Sequence, residues 1–257
     1  MRKIIVVIMA LVMIISGCGK KNAIKDTIIV GLDESPIGYV DKSGEIVGFE
    51  VDLAREAIKR AGAKPEFKII NWNEKEIELN SGEIDMIWNG MDITPERKEI
   101  MLFSKPYMDN YLLILVSQGN PLQIYSEVDF GGKKIGVKAG TTAEYHIIET
   151  ATINDSLQEL KTYDNDEKVF IALKNGEIDA LISDEIVARY LMAKNGYKFD
   201  IIPKTLGKKH EYGIGFRKND KELRDAIQKA FDSMIKDGTA RKISEKWFQA
   251  DLIRSGK

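Results

Sequence analysis

One nine-residue phrase occurs twice in this chain of 257 residues: LNSGEIDMI at 79–87 and LKNGEIDAL at 173–181. Leucine, glycine, glutamate, isoleucine and aspartate recur at the same offsets. In each copy a helical stretch runs up to the phrase, a glycine stops it, and a compact apolar run of strand length follows. Leu79 and Leu173 close a helix, Gly82 and Gly176 supply the turn, and Ile84 and Ile178 lead into a strand. Such joints are common in α/β proteins, but five identities in nine positions favour equivalent architecture in two halves over coincidence.

The segments around the two joints follow one plan. TIIVGL (27–32) is a β-branched run and predicts a strand, and GFEVDLAREAIKRAG (48–62) sets Phe49, Leu53, Ala57 and Ala61 on one helical face, with Gly62 as its stop. PEFKII (65–70) predicts a strand, NEKEIELNS (73–81) a helix, and IDMIW (84–88) a buried strand. TPERKEI (94–100) opens on Thr94 as N-cap and Pro95 at the first helical position. In the second half, 133–149 predicts strand, glycine turn and helix, 165–176 a helix, IDALI (178–182) a strand, and 184–196 a helix capped by Asp184 and ended by Gly196. Alternating strands and helices predict parallel sheets covered on both faces, with ligands beyond the carboxyl ends of the strands. The segments to inspect are therefore GLDES (31–35), NGMD (89–92), VKAGTT (137–142) and SDE (183–185), facing each other across a cleft.

The N-terminus stands apart. Arg2 and Lys3 precede the apolar run IIVVIMALVMII (4–15), and SGC follows, ending in Cys18, the only cysteine. Twelve helical residues reach only about 18 Å, short of a bilayer core of roughly 30 Å, so the run predicts a secretory signal peptide rather than a span. Ile15-Ser16-Gly17-Cys18 resembles a bacterial lipobox, which implies a signal peptide over 1–17, lipidation of Cys18 and a polar tether over 18–26. The protein would then sit on the extracytoplasmic face of the membrane, held by its lipid. One cysteine leaves none to form a disulfide within the mature domain. Lys and Arg number 38 against 40 Asp and Glu, with no basic stripe, which argues against nucleic acid as a partner.

Longer stretches carry a resemblance to a family. GLDESPIGYVDKSGEIVGFEVDLAREAIKRAG, LNSGEIDMIWNGMDITPERKEIMLFSKPYM, KIGVKAGTT, LKNGEIDALISDEIVARYL and YGIGFRKND…MIKDGTARKISEKWF resemble, in order, the amino-acid-binding proteins of ABC importers, solute-binding protein family 3. The resemblance implies a periplasmic-binding-protein type II fold, two α/β lobes joined by a two-strand hinge. Lobe 1 would comprise 27–115 and 213–257, lobe 2 would comprise 116–212, and the crossing strands would lie near LILVS (113–117) and HEYGIG (210–215). It further implies a free amino acid as ligand, an ABC permease as partner, a monomer and no cofactor.

Residue by residue, the family's T-x-x-R arginine falls on Arg97, which would clamp the ligand's α-carboxylate; a planar guanidinium supplies two parallel charge-assisted hydrogen bonds. Backbone N–H groups at the helix start around Thr141 and Thr142 would donate to the same carboxylate. Asp184 would take the α-ammonium, or serve only as a helix cap. Asn89, Gly90 and Asp92 would add contacts from the NGMD loop, and Asp33 would lie near the ligand's side chain. Trp72 reads equally well as core or as a lid over that side chain. Asp92 departs from the family's usual serine or threonine, and Ala143 from a polar residue.

Three acids (Asp33, Asp92, Asp184) facing one base (Arg97) leave surplus negative charge, which favours a cationic side chain, with polar ligands such as cystine next. The alternatives are a cyclohexadienyl dehydratase-like enzyme on the same fold, or a ligand-sensing module. Two histidines, His146 and His210, in no metal-binding spacing supply neither a metal site nor an obvious catalytic base. A sensor would continue into a membrane helix and an output module, which the sequence given does not.

Overall fold

The computed structural model describes residues 24–254, so the expected signal peptide and Cys18 lie outside the described residues. The first half builds β1 (Thr27–Leu32), a small hairpin of β2 (Tyr39–Val40) and β3 (Ile46–Val47), α1 (Phe49–Arg60) and β4 (Lys64–Ile69). A 3-10 turn at Trp72–Glu74 leads into α2 (Lys75–Ser81), β5 (Met86–Ile87), α3 (Pro95–Ile100), β6 (Met101–Phe103) and the long β7 (Met108–Val116). After a 3-10 turn at Glu127–Phe130 come β8 (Lys134–Lys138), α4 (Thr142–Glu149), α5 (Ala151–Asn154), β9 (Glu159–Tyr163), α6 (Asp166–Asn175) and β10 (Ala180–Asp184). The chain finishes with α7 (Glu185–Asn195), β11 (Asp200–Ile201), β12 (Leu206–Tyr212), β13 (Gly215–Arg217), α8 (Lys221–Lys236) and α9 (Thr239–Phe248).

Among the described residues the β2-β3 hairpin stands apart from two larger sheets, one per lobe: β4-β1-β5-β13-β6 in the first, and β11-β7-β10-β8-β9 with β12 paired to β7 in the second. Each has the same parallel core, β4-β1-β5 and β9-β8-β10. The sheets are mixed rather than parallel, because in each an antiparallel strand follows that core: β13 against β5 and β7 against β10. Helices cover both faces. In the first lobe α1 and α8 bury Leu53, Ile227 and Phe231 against Val30 and Met86, while Leu79, Ile84 and Met101 fill the other side. In the second lobe Ile147 of α4 packs on Ile135 and Ile182, and Phe170 and Leu191 of α6 and α7 pack on Leu115 and Leu181.

The repeated phrase does the same four things in both lobes. Gly82 (φ 85°) and Gly176 (φ 72°) end α2 and α6 in the left-handed region that glycine adopts without strain. Leu79 and Leu173 are buried beneath those helices. Ile84 and Ile178 do not start strands, which begin two residues later; each fills a notch over a glycine of the central strand. A Cβ on Gly31 would stand 2.4 Å from Ile84 Cδ1, and one on Gly136 would stand 2.3 Å from Ile178 Cδ1. Asp85 Oδ2 accepts from Ile29 N (3.0 Å) while Asp85 N donates to Ile29 O (2.8 Å), and Asp179 repeats the exchange with Lys134 at 2.7 and 2.8 Å.

The chain changes lobes earlier than expected. Leu112–Val116 pair with β10 inside the second sheet, whereas Met108 packs in the first lobe's core, so the expected boundary after residue 115 falls within lobe 2. The outward crossing lies between Met108 and Leu112, where β7 pairs antiparallel with the returning β12 (Asn110 with His210, Met108 with Tyr212). Apolar content concealed this: MDNYLLILV is one continuous strand whose two ends serve different cores. The tether also ends sooner, because Ile24 packs against the first core and Lys25 Nζ lies 2.5 Å from Asp85 Oδ1.

Candidate functional site

All six strands of the two parallel cores send a group into the cleft from their carboxyl ends, where a helix or loop begins and the backbone turns away. In lobe 1, β1 leads to Asp33, β4 to Trp72 and β5 to the loop 89–92; in lobe 2, β8 ends on Lys138, β9 leads to Asp166 and β10 ends on Asp184. A narrow chamber of about 40 Å³ between the lobes is lined by Trp72, Asn89, Gly90, Asp92, Arg97, Thr141, Thr142 and Asp184. The expected residues are thus brought together, with one exception. Asp33 lines the adjoining outer groove, of about 870 Å³, and reaches the chamber through its partner Lys138.

Arg97 sits in the first turn region of α3, which starts as expected: Thr94 Oγ1 accepts from Arg97 N at 3.2 Å and Pro95 follows the cap. Only 5% exposed, its guanidinium donates to Asp92 O (3.0 Å) in its own lobe and to Thr142 Oγ1 (3.3 Å) and Gly140 O (3.2 Å) in the other. Every one of those acceptors is neutral. Thr141 is the N-cap of α4, accepting from Glu144 N at 3.4 Å and donating to Lys138 O at 2.7 Å.

The same chamber holds a pair of carboxylates, Asp92 and Asp184. Asn110, on the crossing strand, donates its Nδ2 to Asp184 Oδ1 (2.7 Å) and to Asp92 Oδ1 (3.1 Å), so one amide ties the two lobes' acids together. The orientation of that amide follows from its neighbours, since an oxygen there would face two carboxylates. Asp184 is the N-cap residue of α7, but its side chain does not make the capping bond that the sequence predicts; it accepts from Asn110 instead. Burial, and then the charge of Asp92, push the Asp184 carboxyl up to about 7, and burial raises Asp92 also.

The NGMD loop is braced from behind. Asn89 Oδ1 accepts from Asp33 N (3.1 Å) and its Nδ2 donates to Ser35 Oγ (3.1 Å), joining the loop to the turn after β1. Gly90 N donates to Glu50 Oε2 at 2.8 Å, and Tyr107 Oη bonds the other oxygen of that buried carboxyl, which burial pushes up to about 8. Gly90 has φ 60°, and a Cβ there would press on Ile37 Cδ1 at 2.9 Å.

Sequence reasoning missed Lys138. It is 7% exposed, and its ammonium lies 2.5 Å from Asp33 Oδ2 and 3.0 Å from Asp166 Oδ2. Burial opposes its charge, but the Asp166 and Asp33 carboxylates outweigh that and hold it above its ordinary pKa. Three acids facing one base was therefore the wrong count: Asp33 already has a cation, and a fourth acid, Asp166, joins it. Trp72 packs in the first lobe's core and also lines the chamber, its ring 5.9 Å from the Lys138 ammonium and 5.0 Å from that of Lys75. Lys75 was also missed; fully buried, it donates to Trp72 O (3.1 Å) and across the cleft to Gly140 O (3.0 Å).

Two α/β lobes of like topology, a pair of crossing strands and a charged chamber at facing strand ends define a two-lobed binding protein of the periplasmic type II class. The model of the bacterial extracellular solute-binding proteins, family 3, matches residues 28–250, and the chain belongs to that family. It is 33% identical over 240 residues to the L-cystine-binding protein TcyJ of Escherichia coli (strain K12), covering 92% of this chain and 88% of that one. It is 32% identical to the putative ABC transporter arginine-binding protein 2 of the same strain, covering 92% and 96% of the two chains. Among solved structures, the substrate-binding protein of an ABC uptake transporter from Streptococcus pneumoniae with bound histidine superposes with a TM-score of 0.83 at 31% identity, covering 90% of this chain and 95% of that one.

Proposed function

We propose that this family member is a lipid-anchored receptor that captures one free amino acid in the interlobe chamber and presents it to an ABC importer. The observation that carries the reading is the environment of Arg97: a buried guanidinium whose hydrogen bonds, among the described residues, all go to neutral oxygens, with the Asp92 carboxylate acting on it through space. The guanidinium's bidentate hydrogen-bonding geometry is met by none of these oxygens, and a ligand carboxylate supplies that match. The Asp92–Asn110–Asp184 group of the same chamber supplies the anion for an α-ammonium. Relatives named for cystine and arginine binding, and one solved with histidine, support the same class of ligand.

The lobes meet through contacts that lobe separation would break: Arg97 and Lys75 to Gly140, and Ile186 of α7 against the first lobe's core. Ligand groups touching both lobes favour the closed arrangement by their differential contacts, which is a population shift rather than chemistry. The closed surface is what a permease would read. The test is a melting curve of the full chain, refolded to strip carried ligand, against the common amino acids at about 1 mM. A micromolar ligand stabilises by about 4 kcal/mol, or roughly 8–16 °C at this size. Arg97→Ala should abolish the shift; no shift from any amino acid overturns the reading. For the anchor, motivated by the lipobox-like Ser16-Gly17-Cys18, Cys18→Ala should move the protein from the membrane to the soluble fraction, and continued membrane retention would sink it.

A further inference from the structure

The cleft holds two charge clusters of identical make-up. At one end a base, Arg97, stands near two acids, Asp92 and Asp184; at the other a base, Lys138, stands between two acids, Asp33 and Asp166. Only the first cluster is needed to read the ammonium and carboxylate that all amino acids share. The second is no surface ion pair. Lys138 is almost fully buried, it closes the same chamber, and its two carboxylates come from different lobes: Asp33 after β1 and Asp166 at the start of α6. Asp33 and Lys138 also occupy equivalent places, each two residues beyond the notch glycine of its lobe's central strand, Gly31 and Gly136.

Complementarity decides what such a cluster accepts. A side chain ending in a bare cation meets the Lys138 ammonium where it seeks the acids, and one ending in a bare carboxylate meets Asp33 and Asp166. A group carrying both signs satisfies the lysine and the acids together. We propose that Lys138, with Asp33 and Asp166, is a second zwitterion reader, which makes the preferred ligand an amino acid with an ammonium–carboxylate pair at each end. In a disulfide-linked ligand of this kind the two α-carbons lie about 4.4–6.8 Å apart, and Arg97, Asp92 and Asp184 of the first cluster line the same chamber as Lys138 and Asp166 of the second. Trp72, with the Lys138 ammonium 5.9 Å from its ring, walls the passage between the chamber and the outer groove that gives the distal end room.

This inference rests on the amino-acid-receptor reading, and the experiment separates the two. Calorimetric titration of the full chain would compare L-cystine, L-cystathionine and meso-diaminopimelate with L-arginine, L-lysine, L-glutamate and L-alanine. The expected result is that at least one two-ended ligand binds tenfold or more tighter than arginine. Lys138→Met should cost that ligand at least tenfold more than it costs alanine, and should move arginine upward in the ranking. Lys138→Met/Asp33→Asn, which removes one charge of each sign, guards against misfolding and should show the same change in ranking. Arginine or lysine as the best ligand of the unaltered protein would overturn the proposal. So would an equal loss for every ligand, the mark of a latch that only favours closure. Failure of every amino acid to bind would overturn the receptor reading instead.

Discussion

Asn110 illustrates how one side chain couples ligand chemistry to pH. It bonds Asp92 and Asp184, two buried acids that titrate as a pair, with Tyr212 and the more distant Asp166 also facing Asp184. Asp184 has its carboxyl raised to about 7, so the folded chain keeps a proton that the unfolded chain releases at the ordinary value. Its contribution to stability is full below that ordinary value and is lost as pH climbs to about 7. Ligand affinity runs the other way, since an ammonium favours the ionised carboxylate. Affinity should tighten by up to tenfold per pH unit up to about 7, so a titration at pH 5.5 should give a Kd about tenfold or more weaker than at pH 7.5. A flat profile would remove Asp184 as the ammonium's partner. At this scale the sequence was legible where a motif fixes a residue, as T-x-x-R does for Arg97. Lys138 was not legible, because a lysine ending a strand is exposed by default and its burial depends on an aspartate from the other lobe.

The helix–glycine–strand joint was readable because its parts are local: a buried leucine, a left-handed glycine and an aspartate that exchanges two hydrogen bonds with the neighbouring strand. What could not be read was the use of its isoleucine, which fills a notch above a glycine distant in sequence instead of opening the strand. That packing makes a prediction about elements. Gly136→Ala should destabilise by about 1–3 kcal/mol, because the new Cβ collides with Ile178 Cδ1. Adding Ile178→Val, which deletes that carbon, should recover most of the loss in a urea melt. A fully additive double variant would show that the two residues do not compete for the notch. The same pair of changes at Gly31 and Ile84 should behave alike.

At the scale of the molecule, two lobes were legible from the repeat, and their junction was not, since a continuous apolar strand gives no sign of where its core changes. The C-terminal tail also gathers at this junction: Arg254 N donates to Tyr107 O at 2.8 Å and its side chain pairs with Glu211 and with Asp109, one on each crossing strand. The second lobe is one unbroken stretch, whereas the first draws strands from both ends of the chain. A fragment of residues 108–212 should therefore unfold cooperatively by itself, and a fragment of residues 24–107 should not; denaturant melts followed by circular dichroism would check both. The order of synthesis follows from where β13 sits, between β5 and β6. A nascent chain emerging N-terminus first holds two strands apart with their facing edges unpaired until Arg217 arrives. The half that begins first is finished last, and for that interval it is the half that a chaperone or a protease would find open.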